Sequence, residues 1–299
     1  MRVSSHQFHN NAIKNIQTNA SIFNEKSVQQ ATNQRLLKPS DDPLSAVMIS
    51  NLNSEINSLE QYKTNMQAVE YSLGQQEVQL EGIVNYIFSM QSLITTTADG
   101  SLSDDDVKAI GEELSVTFPA IVDLLNATDS AGNYYFSGSQ TDTKPFEVDA
   151  VTGLYTYNGD NLVRDIAVSD DSSILNNIIG DDLDPGAGFL NDMAAFLVDV
   201  NNPPAGGVGT QSRDMLDSLS AFLETISGQV TIIGGSLSTL ETMTITNEDI
   251  STFSVNLRDD VSSVDFAETQ VALEESVAAY QAAMQVYSKV SELSLFSYI

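Results

Sequence analysis

Three features of this 299-residue sequence predict a mainly α fold, a long coiled-coil helical rod of discontinuous N- and C-terminal segments with a small β-rich inserted domain. Two heptad seams stand far apart in the chain, both ends carry weaker helical periodicity, and a stretch of β-branched, aromatic and glycine residues lies between. Apolar residues make up 41% of the chain, enough to bury a core without staples.

The first seam runs from residue 44 to about 95. Leu52, Leu59, Met66, Leu73, Leu80, Ile87 and Ile94 fall seven apart, and Glu55, Tyr62, Val69, Gln76, Ile83 and Met90 interleave three residues on. At ~1.5 Å per residue this predicts about 75 Å of helix. Pro43 suits its first position, and Asp42 or Asp41 suits the cap before it. A second seam, near 211–245, repeats Leu216, Leu223, Val230 and Leu237 with Leu219, Ile226, Ile233 and Leu240 between. The two seams are natural partners. A third helix is expected near 103–129 from Val107, Ile110, Leu114, Phe118, Ile121 and Leu125, with Pro119 implying a kink or break.

The ends have poorer seams. The N-terminal series is Ile13, Ile16, Ala20, Phe23, Ser27, Gln30, Gln34 and Leu37; the C-terminal series is Phe266, Gln270, Leu273, Val277, Tyr280, Met284, Tyr287 and Ser291. Isolated helices with polar seam positions bury too little to offset chain entropy, so these ends are expected to order against partners. On pattern alone the long seams fit either an intramolecular bundle or a larger assembly. Half-polar ends favour assembly.

Between the helical blocks, Tyr134–Phe136, Val148, Leu154–Tyr157, Val163, Ile166 and Val168 form short β-rich runs. Asn158-Gly159 reads as a two-residue hairpin turn and Thr152-Gly153 as another. Residues 171–210 are rich in Asp, Gly, Asn and Pro around a short helix near 188–200. The organisation is therefore an N-terminal helix (1–42), a first rod part (43–132), an outer insertion (133–210), a second rod part (211–257) and a C-terminal helix (258–299).

Charge narrows the function. Twelve Lys and Arg oppose 41 Asp and Glu, a net −29, which argues against nucleic acid and anionic lipid as partners. Residues 1–63 carry six bases and five acids, the rest six bases and 36 acids, so near-neutral and strongly acidic parts are segregated. There is no cysteine, which excludes disulfides, thiolate metal sites and cysteine nucleophiles. In the first thirty residues Asn, Gln, Ser, Thr and His break up the apolar positions, unlike a cleaved secretory signal, and no run approaches a membrane span, so no membrane insertion is expected.

No catalytic, cofactor or metal motif emerges. Gly206-Gly207-Val208-Gly209 lies in a Pro/Gly linker rather than between a strand and a helix. His6 and His9 fit a polar surface pair better than a metal site. In Asp181, Asp182 and Asp184 the spacing fails for an EF-hand because Leu183 and Pro185 occupy ligand positions, leaving a solvated acidic loop as the expectation. Asp104-Asp105-Asp106 suits helix capping.

Several blocks carry a resemblance. Lys38-Pro39-Ser40-Asp41-Asp42-Pro43 with Leu44-Ser45-Ala46, the segment from Asn126 to Asp129 and on through Tyr134-Tyr135-Phe136-Ser137-Gly138, then Thr141 with Lys144-Pro145-Phe146, and Tyr157-Asn158-Gly159-Asp160 resemble the flagellar hook-associated protein 3 family of flagellin-like proteins. Ala279-Tyr280-Gln281-Ala282-Ala283 and the ending from Ser288 to Ile299 match too. The chain departs from the family at Asn33 or Gln34, where a glycine is usual before Arg35-Leu36, and at Ser297, where an acid is common. Residues 171–210 match nothing in it.

The resemblance implies a structural protein, not an enzyme, without cofactors. It would sit as a ring of like subunits between the hook-side hook-associated protein and the flagellin filament. Export would run through the flagellar type III apparatus, without a cleaved signal, to the extracellular flagellum, with an export chaperone on the C-terminal helix. Ile13, Ile16, Phe23, Leu37, Phe266, Leu273, Val277, Tyr280, Met284 and Tyr287 would make the subunit contacts, with Gln30, Gln34, Gln270 and Ser291 as polar register positions. Pro39, Ser40, Asp41, Asp42, Pro43, Tyr135, Phe136, Ser137 and Gly138 are family-motif residues. A flagellin-type filament subunit remains the near alternative, and a secreted acidic coiled-coil adhesin one of another class.

Overall fold

The structure, a computed structural model, describes residues 2–99 and 102–296, with side chains given except at 2–6, 8 and 290–296. The side chains of His6 and Ser291 and the motif beyond Lys289 lie outside this description. The chain divides into two compact units, Met1–Ser58 with Asp249–Ile299, and Leu59–Glu248.

In the first unit α1 (Arg2–Thr32) ends at Asn33, whose φ of 55° is the left-handed form that usually closes a helix with glycine. Asparagine tolerates this conformation, so the helix closes here without a glycine. After a short connection α2 (Pro43–Ala98) begins with proline in its first position and Asp42 as cap, its carboxylate accepting from the Ser45 N–H at 3.2 Å and the Ser45 hydroxyl at 2.6 Å. Of the two candidate caps, Asp41 turns back to the Lys38 N–H instead.

The second unit holds the core. Met66, Leu73, Leu80, Ile87 and Ile94 are buried, as are Val69, Gln76, Ile83 and Met90, so the seam on α2 faces inward as its spacing predicts. Ser103 caps α3 (Asp104–Leu125) in a capping box with Asp106, and Val107, Leu114, Phe118, Ile121 and Leu125 are buried along it. Ile110 is only partly buried. The helix runs on through Pro119, so no break occurs there. It closes at Asn126, short of the expected 129.

Two small antiparallel sheets follow, β1 (Phe146–Val148) with β2 (Tyr155–Tyr157), and β3 (Asp165–Ala167) with β4 (Ser173–Leu175). The Thr152-Gly153 turn joins β1 to β2, with Gly153 at φ 72°. Asn158-Gly159 is not a hairpin turn. A type I′ turn needs positive φ at both residues, and neither has it; β2 does not pair with β3. Glycine is required at 159 for another reason, because a Cβ there would collide with the Tyr157 ring and the Ser137 carbonyl.

The acidic loop is also different from the expectation. Here α4 (Gly180–Leu183) and a 3₁₀ turn lead into α5 (Gly188–Asn201), and Asp184 is buried, accepting from the Phe189 and Leu190 N–H groups at 2.8 and 3.1 Å. It caps a helix rather than facing solvent. Burial raises its pKa, partly offset by those two backbone donors.

On α6 (Gly209–Ser262) the expected row Leu219, Ile226, Ile233 and Leu240 is buried, but its companions Leu216, Leu223, Val230 and Leu237 are only partly so. In the first turns Met215 and Phe222 take their place, with Phe222 stacked on Phe189 of α5 at 4.1 Å. A straight helix drifts against a strict seven-residue repeat, and α5 captures the row that the drift brings round. Phe136, Phe146, Val168, Ile178 and Leu183 belong to the same continuous core as α2, α3 and α6 residues, so the insertion is not a separately cored body. The last helix, α7 (Phe266–Phe296), belongs to the first unit, with Asp265 accepting from the Ala267 and Glu268 N–H groups ahead of it.

Candidate subunit interface

Within the first unit α1 and α7 lie side by side. Gln30 donates to Gln270 at 2.7 Å, and the Tyr287 hydroxyl meets His9 Nε2 at 2.8 Å with the rings 4.8 Å apart. The Gln34 backbone bridges to Ser263 while its side chain is exposed. Polar seam positions 30 and 270, far apart in sequence, are thus brought into direct contact.

The apolar seam residues are not sealed by this pairing. Phe266 is 53% exposed, Met284 46%, Ile13 38%, Phe23 37% and Tyr280 36%. Ile16, Leu37, Leu273, Val277 and Tyr287 are partly buried. Among the described residues, the most buried positions of these two helices are instead polar: Gln29, Thr269 and Ser276. A groove of about 420 Å³, lined by Ala20, Phe23, Asn24, Val277, Tyr280 and Gln281, opens between the helices. Side chains of this kind offer surface and shape, not acid, base or nucleophile.

One residue that sequence reasoning passed over ties the unit's chain breaks together. The Arg35 N–H donates to Ser262 C=O at 2.8 Å, and its guanidinium reaches Val261 C=O at 3.1 Å, the Ser45 hydroxyl at 3.0 Å and Asp42 at 3.3 Å. Gln29 donates to Arg35 C=O at 2.9 Å. The connection after α1 and the one before α7 are therefore fastened at one point. Asp42 is held below the usual carboxylate range, by the Ser45 bonds first and by Arg35 in addition. Pro39, Ser40 and Asp41 form the exposed turn leading to this cap and Pro43 starts the helix it caps, which gives the first motif block a local structural reason.

The other motif blocks meet in the second unit. Asn126 exchanges two hydrogen bonds with the Phe146 backbone, and the Tyr135 N–H donates to Ala127 C=O. The Tyr157 hydroxyl reaches Phe136 C=O at 3.1 Å and Asp160 C=O at 3.0 Å, and its ring lies 5.4 Å from that of Phe146. Phe136 and Ser137 are fully buried. Gly138, at φ 72°, admits Asp160, whose carboxylate accepts from the Ser139 N–H at 2.7 Å and from the Ser139 hydroxyl; a Cβ there would strike Asp160. Burial pushes the Tyr157 hydroxyl up to about 12, and the Ser139 bonds hold Asp160 below its ordinary value. The blocks are parts of one interlock.

Buried Gln76 is a second residue whose role the sequence hid. Its amide donates to Ser72 C=O and Asn176 C=O, both at 3.1 Å, while its oxygen accepts from the Ile178 N–H at 2.9 Å. It fastens the end of the β3–β4 hairpin to α2 from a position that the heptad pattern counts as core. Among the described residues no group of three or more His, Cys, Asp or Glu could hold a metal, and no helix is long and apolar enough to cross a membrane.

Comparison with known proteins bears on this geometry. The bacterial flagellin N-terminal helical region matches residues 3–141. A flagellar hook-associated protein 3 of Escherichia coli strain K12 is 24% identical over 318 residues, covering 99% of each chain. A solved structure from Vibrio parahaemolyticus, described as flagellar hook-associated, superposes with a TM-score of 0.68 at 26% identity, covering 75% of this chain and 100% of that one. A flagellar hook-associated protein 3 from Legionella pneumophila shares the fold, with a TM-score of 0.65 at 18% identity over 71% of this chain and 98% of that one.

Proposed function

We propose that this chain is a member of the flagellar hook-associated protein 3 family of flagellin-like proteins and plays a junction role. At the coarser level it is a structural component of the bacterial flagellum, its family is not one of enzymes, and its partners are other flagellar components.

The finer reading is that a ring of these subunits joins the hook-side hook-associated protein to flagellin. The observation that carries it is the half-exposed apolar seam of α1 and α7, including Ile13, Phe23, Phe266, Tyr280 and Met284. Covering such side chains contributes roughly 25 cal/mol per Å² of apolar surface removed from water. Ile16, Leu37, Leu273, Val277 and Tyr287 extend the same surface. Like subunits meet through it in this reading, while the acidic second unit faces solvent. The same α7 surface is what an export chaperone would cover before assembly, and passage through the type III apparatus suits a chain with no cross-links to undo.

Electron microscopy of flagella from cells lacking residues 260–299 tests the reading. Hooks without filaments, with unassembled flagellin in the medium, are the expected outcome. Filaments still attached to hooks would overturn it, and loss of flagellin polymer with none shed would point to a filament subunit instead.

A further inference from the structure

The β2–β3 connection holds the one Asn-Gly pair of the chain, Asn158-Gly159. Such a pair is chemically labile because no side chain shields the glycine nitrogen from the asparagine amide. Asn158 is exposed, and among the described residues the Gly159 N–H donates no hydrogen bond. The neighbours are fixed on either side: the Asn158 N–H donates to Pro145 C=O at 2.8 Å, and the Asp160 N–H donates to Ser137 C=O at 3.2 Å. The Asn158 amide oxygen accepts from the Thr156 hydroxyl at 3.3 Å, which draws it back along the chain. Tyr157, through its hydroxyl on Phe136 C=O and Asp160 C=O, closes the loop over Gly159.

We propose that Asn158 is a site of spontaneous deamidation whose rate the motif interlock controls: restrained while the loop is closed, fast when the chain is unfolded. The Gly159 nitrogen attacks Asn158 Cγ, its proton leaves with the departing amide as ammonia, and a succinimide forms. Water then opens the ring at either carbonyl to give aspartate or isoaspartate, so the sum is asparagine plus water to acid plus ammonia. Closure needs the amide carbon to swing from Thr156 onto the Gly159 nitrogen, a motion that the fixed bonds at 158 and 160 oppose. The product places a new carboxylate beside Asp160, and isoaspartate also lengthens the backbone by one carbon between the Pro145 and Ser137 anchors.

The test uses the full chain, incubated folded and in urea at one mildly alkaline pH, with deamidation read by peptide mass and the succinimide trapped by hydroxylamine cleavage between 158 and 159. Asn158 is expected to be the fastest-reacting asparagine in urea. In the folded chain it should react at least tenfold more slowly, about the ratio that a local opening cost of ~1.4 kcal/mol imposes. Tyr157→Phe should move the folded rate toward the unfolded one. Thr156→Val, a mild change in a strand, frees the amide without disturbing the core and should accelerate the reaction even if Tyr157→Phe does not fold. Equal rates for the wild-type chain in both states, or a faster asparagine elsewhere in urea, would overturn the proposal.

Discussion

Leu59–Glu248 and the unit built from the two ends of the chain use the same helical periodicity with opposite results. In the former every seam position from Met66 to Ile94 is buried, and residues of α3, α5, α6 and the small sheets join one continuous core. In the latter the buried positions are largely polar, Gln29, Ser254, Thr269 and Ser276 beside Leu52 and Val264, while large apolar side chains stay half open. The charge differs as well: the second unit carries five bases and 29 acids, the first seven and 12. A core closed within the chain tolerates a strongly acidic exterior, whereas the less acidic unit suits the proposed assembly, since an unpaired charge buried between subunits would be costly.

The sharpest way to break this contrast is a pair of matched truncations. Phe146→Ala, at a fully buried site, should destabilise the chain by about 3–5 kcal/mol in denaturant unfolding. Phe23→Ala, at an open site, should change monomer stability by less than about 1 kcal/mol yet reduce assembly. Equal losses in the monomer would mean that the terminal helices own a finished core after all. Gln76→Ala comes next, because it strands the buried Ile178 N–H and leaves the Asn176 C=O with the Ser72 hydroxyl alone, and a loss of about 1–3 kcal/mol is expected. Asp184→Ala, which removes the α5 cap, should cost about 1–2 kcal/mol.

The pH response separates the aspartates further. Asp42, Asp129, Asp149 and Asp160 are held below their usual value chiefly by hydrogen bonds from Ser45, Asn133, Thr152 and Ser139 in turn. Their contribution is present above the unfolded carboxylate value and is lost as pH falls through the lowered ones. Asp184 has the opposite sign: raised by burial, its protonation contribution is present below the unfolded value and lost as pH rises through the raised one. The stability gap between wild type and Asp184→Asn should therefore narrow as pH rises from about 3 to 7, and a gap that widens would refute the assignment. The smallest effect is expected from Lys63→Ala. It breaks an exposed ion pair with Glu248 and should move the unfolding midpoint only at low salt.

How much of this was legible in the sequence follows from range. The α2 seam, the Pro43 start with its Asp42 cap and the Thr152-Gly153 turn depend on neighbours a few residues away, and these were readable. Met215 and Phe222 replaced Leu216 and Leu223 because α5 packs there, a contact set by the fold rather than by the repeat. Asp184 looked like solvent-facing charge because its helix begins only four residues later, at the unpromising Gly188. Gln76 counted as an imperfect seam residue, since its partners at 176 and 178 are distant in the chain. For the candidate interface, the polar pair Gln30 and Gln270 stood out in the sequence. Arg35 did not, as half of its acceptors, at Val261 and Ser262, are backbone carbonyls more than two hundred residues away, which leave no mark in side-chain pattern.

The bond between Gln30 and Gln270 carries a consequence for the medium in which the protein works. It joins two neutral amides, and among the described residues no ion pair links α1 to α7. Dissolved salt weakens attraction between opposite charges at the surface but leaves an amide-to-amide bond largely untouched. Cohesion of the terminal pair is thus set by packing and neutral hydrogen bonds, so a change from dilute to briny surroundings alters how the acidic unit repels its like while the grip of one end of the chain on the other stays the same.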